Sequence, residues 1–591
     1  MTSYIIRLFH IAVFALTVSI FSSCSLDEEP YTSIPLSGYF SEPEDFSYYL
    51  NGVYSLLVTN NTWGGAAIAT MLFDDDDTQA GTTYRPGVDG LYDMINRTAD
   101  AWRGFFSIVQ QASMFIYALD NYGEILSPEQ RNCYRGQALF LRAHAYIELT
   151  RRFGAVPLRN GPYLDGVSTP DVPRSNQKVV YAKVIEDLRE AAKMLPASYS
   201  SGEYKGLSDR GRPTKQAAFG LMMKAYMELA GAMCYNATID SAGNAVAPDL
   251  EKMAESYREA MNVGDSIFYY VSLTNFPTLE AEYMAPFNTN TQNTCNEILF
   301  AAQTLSNQPG KGVELAFTLC PPGSNLCGTA DTGGGEVSLR WDFIGKKFYS
   351  NDKRVKWGVA LVDSFYNAKS GENRWYFTYN PYVRPTATEQ SGTIPLGYLT
   401  GTSEDTWARQ YATPNQPYGY ADARSFGHQT NIDIRWQSTS SSVPSRRATP
   451  RIYSMKYTDR DAVGKQSNGC DIILLRYADV LLLYAEAANE LGLLSNAVEQ
   501  LDEVRNRAGI PLIKDIYPAI GQSDLRDSIR LERRRELYLE FNRRWDLIRW
   551  GQFKPIMDNS KRPRFWWQTL YAIPVQELTA NKETGQNNYG W

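Results

Sequence analysis

The stretch from Arg476 to Gly509, RYADVLLLYAEAANELGLLSNAVEQLDEVRNRAG, constrains the fold more than any other. Ala478, Leu481, Leu482, Ala485, Ala488 and Leu491 recur at spacings of three and four, which sets them on one helical face. Leu494, Ala497, Val498, Leu501, Val504 and Ala508 repeat the pattern beyond Gly492. Glycine turns a chain at a helix end because it adopts positive φ without strain. The pattern predicts two helices back to back, with alanines at the seam that allow close approach. Such a unit buries its faces only by stacking on others like it.

Those others lie upstream. ADAWRGFFSIVQQASMFIYALDN and SPEQRNCYRGQALFLRAHAYIELTRRFGAVPL form one pair, the second helix stopped by Gly154 and Pro157. SNQKVVYAKVIEDLREAAKMLP and GRPTKQAAFGLMMKAYMELAG form another, and LEKMAESYREAMNVG follows singly. Before them, PLSGYFSEPEDFSYYLNGVYSLL reads as a capped helix entered through Ser41, with Pro43 in its first turn. Paired helices with alanine and aromatic seams point to tetratricopeptide-like repeats, although their spacing departs from a uniform period of about 34 residues. The expected fold is mostly α: a tetratricopeptide-like helical-repeat scaffold with a large loop-rich insertion. A chain of 591 residues exceeds what one hydrophobic core supports, which agrees with a solenoid carrying insertions.

The insertion spans 301–450. It is rich in Gly, Pro, Ser, Thr, Asn and Tyr, yet it holds Trp341, Trp357, Trp375, Trp407 and Trp436. A disordered linker is poor in aromatics, so this stretch is expected to be an ordered subdomain laid against the helices. Loops on a rigid scaffold are where binding usually sits. The organisation predicted is a leader at 1–23, an N-terminal segment at 24–100, helical repeats at 101–300, the ligand-binding insertion at 301–450, and C-terminal repeats with a closing segment at 451–591.

The leader has Arg7 and then an apolar run from Ile11 to Phe21. That run is too short to span a bilayer and fits a secretory signal peptide. It ends in FSSC, which resembles a lipoprotein cleavage box with Cys24 as the lipidated residue; Phe21 stands where the pattern prefers Leu. The acidic SLDEEP after Cys24 resembles a signal for the outer face of the outer membrane in some Gram-negative bacteria. Several acyl chains on one cysteine anchor stably, at about 0.8 kcal/mol per buried CH₂. Loss of residues 1–23 removes only Arg7 among the charges, so the formal charge of −7 becomes −8. That sign argues against nucleic-acid binding. Of the remaining cysteines only Cys320 and Cys327 are close, in CPPGSNLC, where a bridge and two thiols are both open readings.

Catalytic signatures are missing. The three histidines are His10, His144 and His428, and no HExxH, GxSxG or phosphate-loop pattern occurs. His144 reads as a packed helix residue and His428 as a lone loop histidine. The protein is expected to be no enzyme and to need no cofactor. The run Asp74, Asp75, Asp76 and Asp77 offers oxygen ligands for Ca²⁺ at a spacing that matches no calcium loop. Its other readings are a solvated loop, or acceptors for ligand hydroxyls. In LERRRELYLEFNRRWDLIRW, Glu532, Glu536, Glu540 and Asp546 interleave with arginines, which predicts a structural network of helical i, i+3 and i+4 pairs.

Taken together, LRAHAYIELTRRFGAVPL, GRPTKQAAFGLMMKAYMELAG, NEILFAAQ (296–303), LLRYADVLLLYAEAANELG, VRNRAGI, IRLERRRELYLEFNRRWDLIRWG and YAIPVQELTANKETGQNNYGW resemble, in order and spacing, the SusD/RagB-like outer-membrane lipoproteins of glycan-foraging Gram-negative bacteria. The resemblance runs from Cys24 to Trp591. It implies a cell-surface glycan-binding subunit that sits over a SusC-like TonB-dependent transporter and hands it oligosaccharide, with the repeats facing the transporter. Some members serve peptide import, so peptide or another nutrient is the alternative ligand. Similarity to the family's starch-binding member implies that Trp102 begins an aromatic arc for sugar, with Asp76, Asp77 and Arg85 taking hydroxyls. Tyr283, Trp341 and Phe343 are the expected further aromatics, flanking NEILFAAQ and the Cys320–Cys327 loop.

Overall fold

The computed structural model describes residues 36–65, 67–68, 74–80, 97–161, 171–199, 211–237, 245–308, 337–340, 359–365, 375–379, most of 451–590, and isolated residues between 312 and 354. Cys24, Arg85, Cys320, Cys327, Trp341 and His428 lie outside them.

The helices begin and end where local chemistry dictates. Helix α1 (Pro43–Ser55) has Glu42 at its cap, one residue past the expected Ser41, and the Asp45 carboxylate accepts from the amides of Ser41 (3.0 Å) and Glu42 (2.8 Å). α2 (Arg97–Tyr122) leads by a short turn into α3 (Pro128–Phe153). Ser127 caps α3 by accepting from the Gln130 amide while the Gln130 side chain takes the Ser127 N–H, each at 3.2 Å. Gly154 ends it at φ 73° with its N–H on Thr150 O. Asn176, Thr214 and Asp249 cap α4 (Gln177–Met194), α5 (Lys215–Leu229) and α6 (Leu250–Thr274) through the same kind of bond.

Successive helices from α2 to α6 pack side by side. The row continues across α6 onto α7 (Tyr477–Glu490), which pairs with α8 (Leu494–Ala508) and with α9 (Gln522–Glu536). Gly492 turns the α7–α8 hairpin at φ 77° and Gly509 closes it at φ 73°. The repeat scaffold read from the periodicity is therefore present. α10 (Arg543–Arg549), α11 (Phe553–Asn559) and α12 (Val575–Ala580) complete the chain. Among the described residues no helix is long and apolar enough to cross a membrane.

Strands fill the remaining roles. β1 (Thr78–Ala80), β5 (Val337–Leu339), β6 (Val359–Phe365), β7 (Trp375–Tyr379) and β8 (Arg451–Ser454) form one antiparallel sheet in the order β1-β5-β8-β6-β7. β2 (Val156–Pro157) pairs with β3 (Arg174–Ser175). β4 (Ile298–Ala302), inside the expected NEILFAAQ strand, pairs antiparallel with β9 (Ile472–Arg476). β9 runs straight into α7, so Arg476, read above as helical, is the last residue of a strand.

Candidate functional site

Trp102 lies near the start of α2 and is only 4% exposed. Its ring packs against Phe106 at 4.8 Å and meets Phe153 edge-on at 4.9 Å. The same indole forms part of the wall of a surface cavity of about 380 Å³, with Phe106, Val109, Arg159, Pro574 and Glu577. Arg159 donates to Glu577 Oε1 at 2.7 Å and its guanidinium lies 5.0 Å from the Phe106 ring centre. That ion pair is thus neutralised internally; Arg103, paired with Asp100, and the polar Ser107, Gln110 and Gln576 share the lining with apolar Ala99, Val109 and Ala580. α12 supplies the far wall. Behind it the chain end is clamped by Arg174, which donates to Thr584 O (2.9 Å), Gln586 O (2.6 Å) and Asn588 Oδ1 (2.9 Å). A half-open, mostly apolar recess with a few fixed polar groups is the usual form of a small-ligand site.

The aspartate run corrects one expectation. All four residues are buried, so it is not a solvated loop. Among the described residues no cluster of three or more His, Cys, Asp or Glu is placed to hold an ion. Asp74 pairs with Arg544 and Arg564. Asp76 receives Arg543 through two bonds (2.7 and 3.0 Å) and Arg534 at 2.8 Å. Asp77 receives Arg534 at 2.5 Å. Asp75 instead folds the loop, accepting from the amides of Asp77 and Thr78 and from the Thr78 hydroxyl, each at 2.9 Å. Buried carboxylates without partners are too costly to persist; Asp74, Asp76 and Asp77 are held by arginines of α9 and α10 and by Arg564. Burial opposes ionisation of Asp76, but Arg543 and Arg534 outweigh it and hold the carboxyl well below its usual range. Burial, together with the neighbouring Asp76 charge, pushes Asp77 up to about 7. As expected acceptors for sugar hydroxyls, Asp76 and Asp77 are thus already committed to arginines.

Tyr283 and Phe343 are core residues and present no open face. The Tyr283 hydroxyl donates to Glu536 O at 2.8 Å, and the Lys456 ammonium and the Arg507 guanidinium lie 5.1 and 5.2 Å from its ring centre. Phe343 packs on Phe348 at 5.2 Å and Tyr538 at 6.2 Å, with Arg534 at 4.8 Å. Apolar volume at these positions is consumed by packing around the charged network.

That network is more extensive than local helical pairing predicts. Glu532 pairs with Arg354 (2.6 Å) and Arg505 (2.7 Å), and Glu536 with Arg354, Arg476 (2.7 Å) and Arg507. Glu540 holds Lys456 and Arg476, each at 2.6 Å. Arg535–Glu532 and Arg549–Asp546 are i, i+3 pairs as expected. The others join α9, and Glu540 just beyond it, to β9, to α8, to Lys456 after β8 and to Arg354, and they are buried. Each charge is matched, which is what a buried ionic cluster requires. His144 is packed, as read from the sequence: it accepts from Trp63 Nε1 at 3.1 Å, and burial pushes its pKa down to about 4, so it is neutral. Cys133, Cys234, Cys295 and Cys470 are buried thiols.

Comparison with known proteins agrees with this architecture. The profile of the SusD family matches residues 344–562. A second profile, described as starch-binding and associating with the outer membrane, matches residues 26–227. A SusD-like protein of Formosa agariphila is 25% identical over 567 residues, covering 92% of this chain and 91% of its own. The crystal structure of a SusD homologue from Bacteroides thetaiotaomicron superposes with a TM-score of 0.68 at 19% identity, covering 94% of this chain and 98% of that one. A laminarin-binding SusD-like protein superposes at 0.61 with 17% identity, over 93% and 100%. The two profiles together span more than half of the sequence, in the chain order of the repeats and the buried arginine block. The chain is a member of the SusD family.

Proposed function

We propose that the protein is a cell-surface lipoprotein, anchored through Cys24, that captures oligosaccharide or polysaccharide and passes it to a SusC-like TonB-dependent transporter. The observation that supports this most is the recess walled by Trp102. Its wall on the first repeat helix lies within the stretch matched by the starch-binding profile, and its wall on α12 lies beyond both profiles. With 4% of Trp102 exposed, the indole gives the recess a small apolar area that a pyranose would meet together with Phe106 and Val109. Arg159 and Glu577, which sequence reading did not assign to a site although the quoted motifs adjoin or contain them, supply charged groups at fixed positions. No bond is made or broken; recognition is by contact. Arg85 and Trp341 remain candidates for the rest of the site.

The test is to screen the mature chain by calorimetry against polysaccharides, oligosaccharides and peptides. Glycan binding weakened by about 1–3 kcal/mol in Trp102→Ala supports the reading, taking stacking on an aromatic ring as the guide. Because Trp102 also packs on Phe106 and Phe153, the variant's fold is checked by circular dichroism. Unchanged affinity in a folded variant removes Trp102 from the site. Peptide binding without glycan binding replaces the ligand class.

A further inference from the structure

The segment Phe565-Trp566-Trp567 is a short 3₁₀ turn (Trp566–Thr569) outside the recess. Phe565 is 63% exposed, and Tyr589, across from it on the chain end, is 56% exposed. The four rings form two parallel stacks. Phe565 and Trp567 lie 5.4 Å apart at 4°, and Trp566 and Tyr589 lie 5.1 Å apart at 22°. Gly590 sits against Trp567 at φ 86°, a place where any Cβ would collide with the indole. In each stack a partly buried tryptophan therefore supports an exposed ring.

The turn is fixed rather than loose. The Phe565 amide donates to Gln568 Oε1 at 2.8 Å, and Arg544 holds Gln568 O (2.9 Å) and Thr569 O (3.2 Å). Arg564, one residue before it, is tied to Asp74 and to Asp558. Large aromatic area held in place at the surface costs little ordering when a ligand arrives.

Position decides the occupant. The chain segment that brings Tyr589 to the stack is the one that walls the recess through Pro574 and Glu577. Trp102 touches Phe153, and Phe153 lies 6.3 Å from Tyr571. From Tyr571 back to Trp567 is four residues, at most roughly 14 Å of chain. The rings and the recess are thus only a short stretch of chain apart, joined through the buried Phe153 and Tyr571.

We propose that these stacks are a second carbohydrate contact. Phe565 and Tyr589 would support the part of a polysaccharide chain that extends beyond the recess. The inference rests on the carbohydrate reading above, and it predicts a dependence on chain length. A fragment that fills only the recess will not sense the platform, whereas a polymer will. Two weak contacts on one chain reinforce each other by effective concentration.

The test uses the mature chain and the double variant Phe565→Ala/Tyr589→Ala. Both side chains are exposed, and unchanged thermal melting confirms the fold. Wild type is screened by affinity electrophoresis against a panel of plant, algal and host polysaccharides that includes starch and laminarin. Any polymer retained is then measured with its trisaccharide. The expected result is retention on polymer weakened about tenfold, with trisaccharide affinity unchanged. Equal retention of wild type and variant overturns the platform and leaves the carbohydrate reading standing. Wild type that binds no member of the panel overturns both. Normal polymer retention with loss of transporter co-purification, or with loss of a self-associated form, also overturns the proposal and makes the patch a protein-docking surface.

Discussion

Replacing Arg543 by Met tests whether the aspartate run is held by its arginines. In the intact protein Asp76 and Asp77 face Arg534 and Arg543, two charges of each sign in a buried site. Arg543→Met leaves two carboxylates on one guanidinium, and breaking a buried pair in this way costs about 3–5 kcal/mol. Asp76→Asn in the same background removes the excess negative charge. The double variant is therefore expected to be less destabilised than the sum of the singles, by about 2 kcal/mol. The cost also depends on pH. The folded value of Asp77 is raised to about 7 from an ordinary 3.8, so the fold favours its neutral form. Below that value protonation absorbs the excess charge, and the penalty of Arg543→Met is smaller at pH 5 than at pH 8. Urea unfolding gives the global energies, and hydrogen exchange at Thr78–Ala80 reports whether β1 has left its sheet. Additivity within about 0.5 kcal/mol, or unchanged protection of β1 in Arg543→Met, refutes the argument.

Further outcomes follow from other sites. Gly492→Ala places a Cβ in open space at φ 77° and is expected to cost about 1–2 kcal/mol of backbone strain alone; Gly154→Ala adds a collision with Leu570 and melts lower still. His144 is held down at about 4, and Glu148 and Glu532 at about 2 where their arginines outweigh burial. All three folded values lie below the ordinary ones, so their stabilisation is present at neutral pH and is lost on acidification. The loss runs first between about 6.5 and 4 through His144 and then between about 4.5 and 2 through the glutamates. Asp77, Glu228 and Asp471, raised to about 7, run the opposite way, so the contribution is read by difference: a His144→Gln variant whose melting temperature tracks the wild type in parallel from pH 6.5 to 4 contradicts this. Trp102→Ala is expected to weaken glycan binding in calorimetry, whereas Phe565→Ala/Tyr589→Ala changes only polymer retention.

The helices were legible in the sequence because their information is local. Period, cap and stop all fall within one element, as Ser127, Gln130 and Gly154 do for α3. The charged clusters were not, because a run of four acids carries no mark of partners that lie 457 and more residues away in the chain. Composition suggested solvent or metal for the run, and tertiary structure supplies guanidinium. The same limit explains Tyr283 and Phe343. An aromatic ring reads alike whether it meets a sugar or a neighbouring side chain, and only burial separates the two. Arg159, Glu577 and the FWW turn carry no periodic signal, so their assembly around the recess became visible only with the fold.

The docking of Asp74–Asp77 onto Arg534, Arg543, Arg544 and Arg564 also sets an order of events during biosynthesis. The acids leave the ribosome long before any of these cations has been made. Until then that early segment carries repulsion with nothing to relieve it, and its edge strand has no settled place. Truncations from the carboxyl end should thus unravel the amino end, and the two ends of the polypeptide mature together.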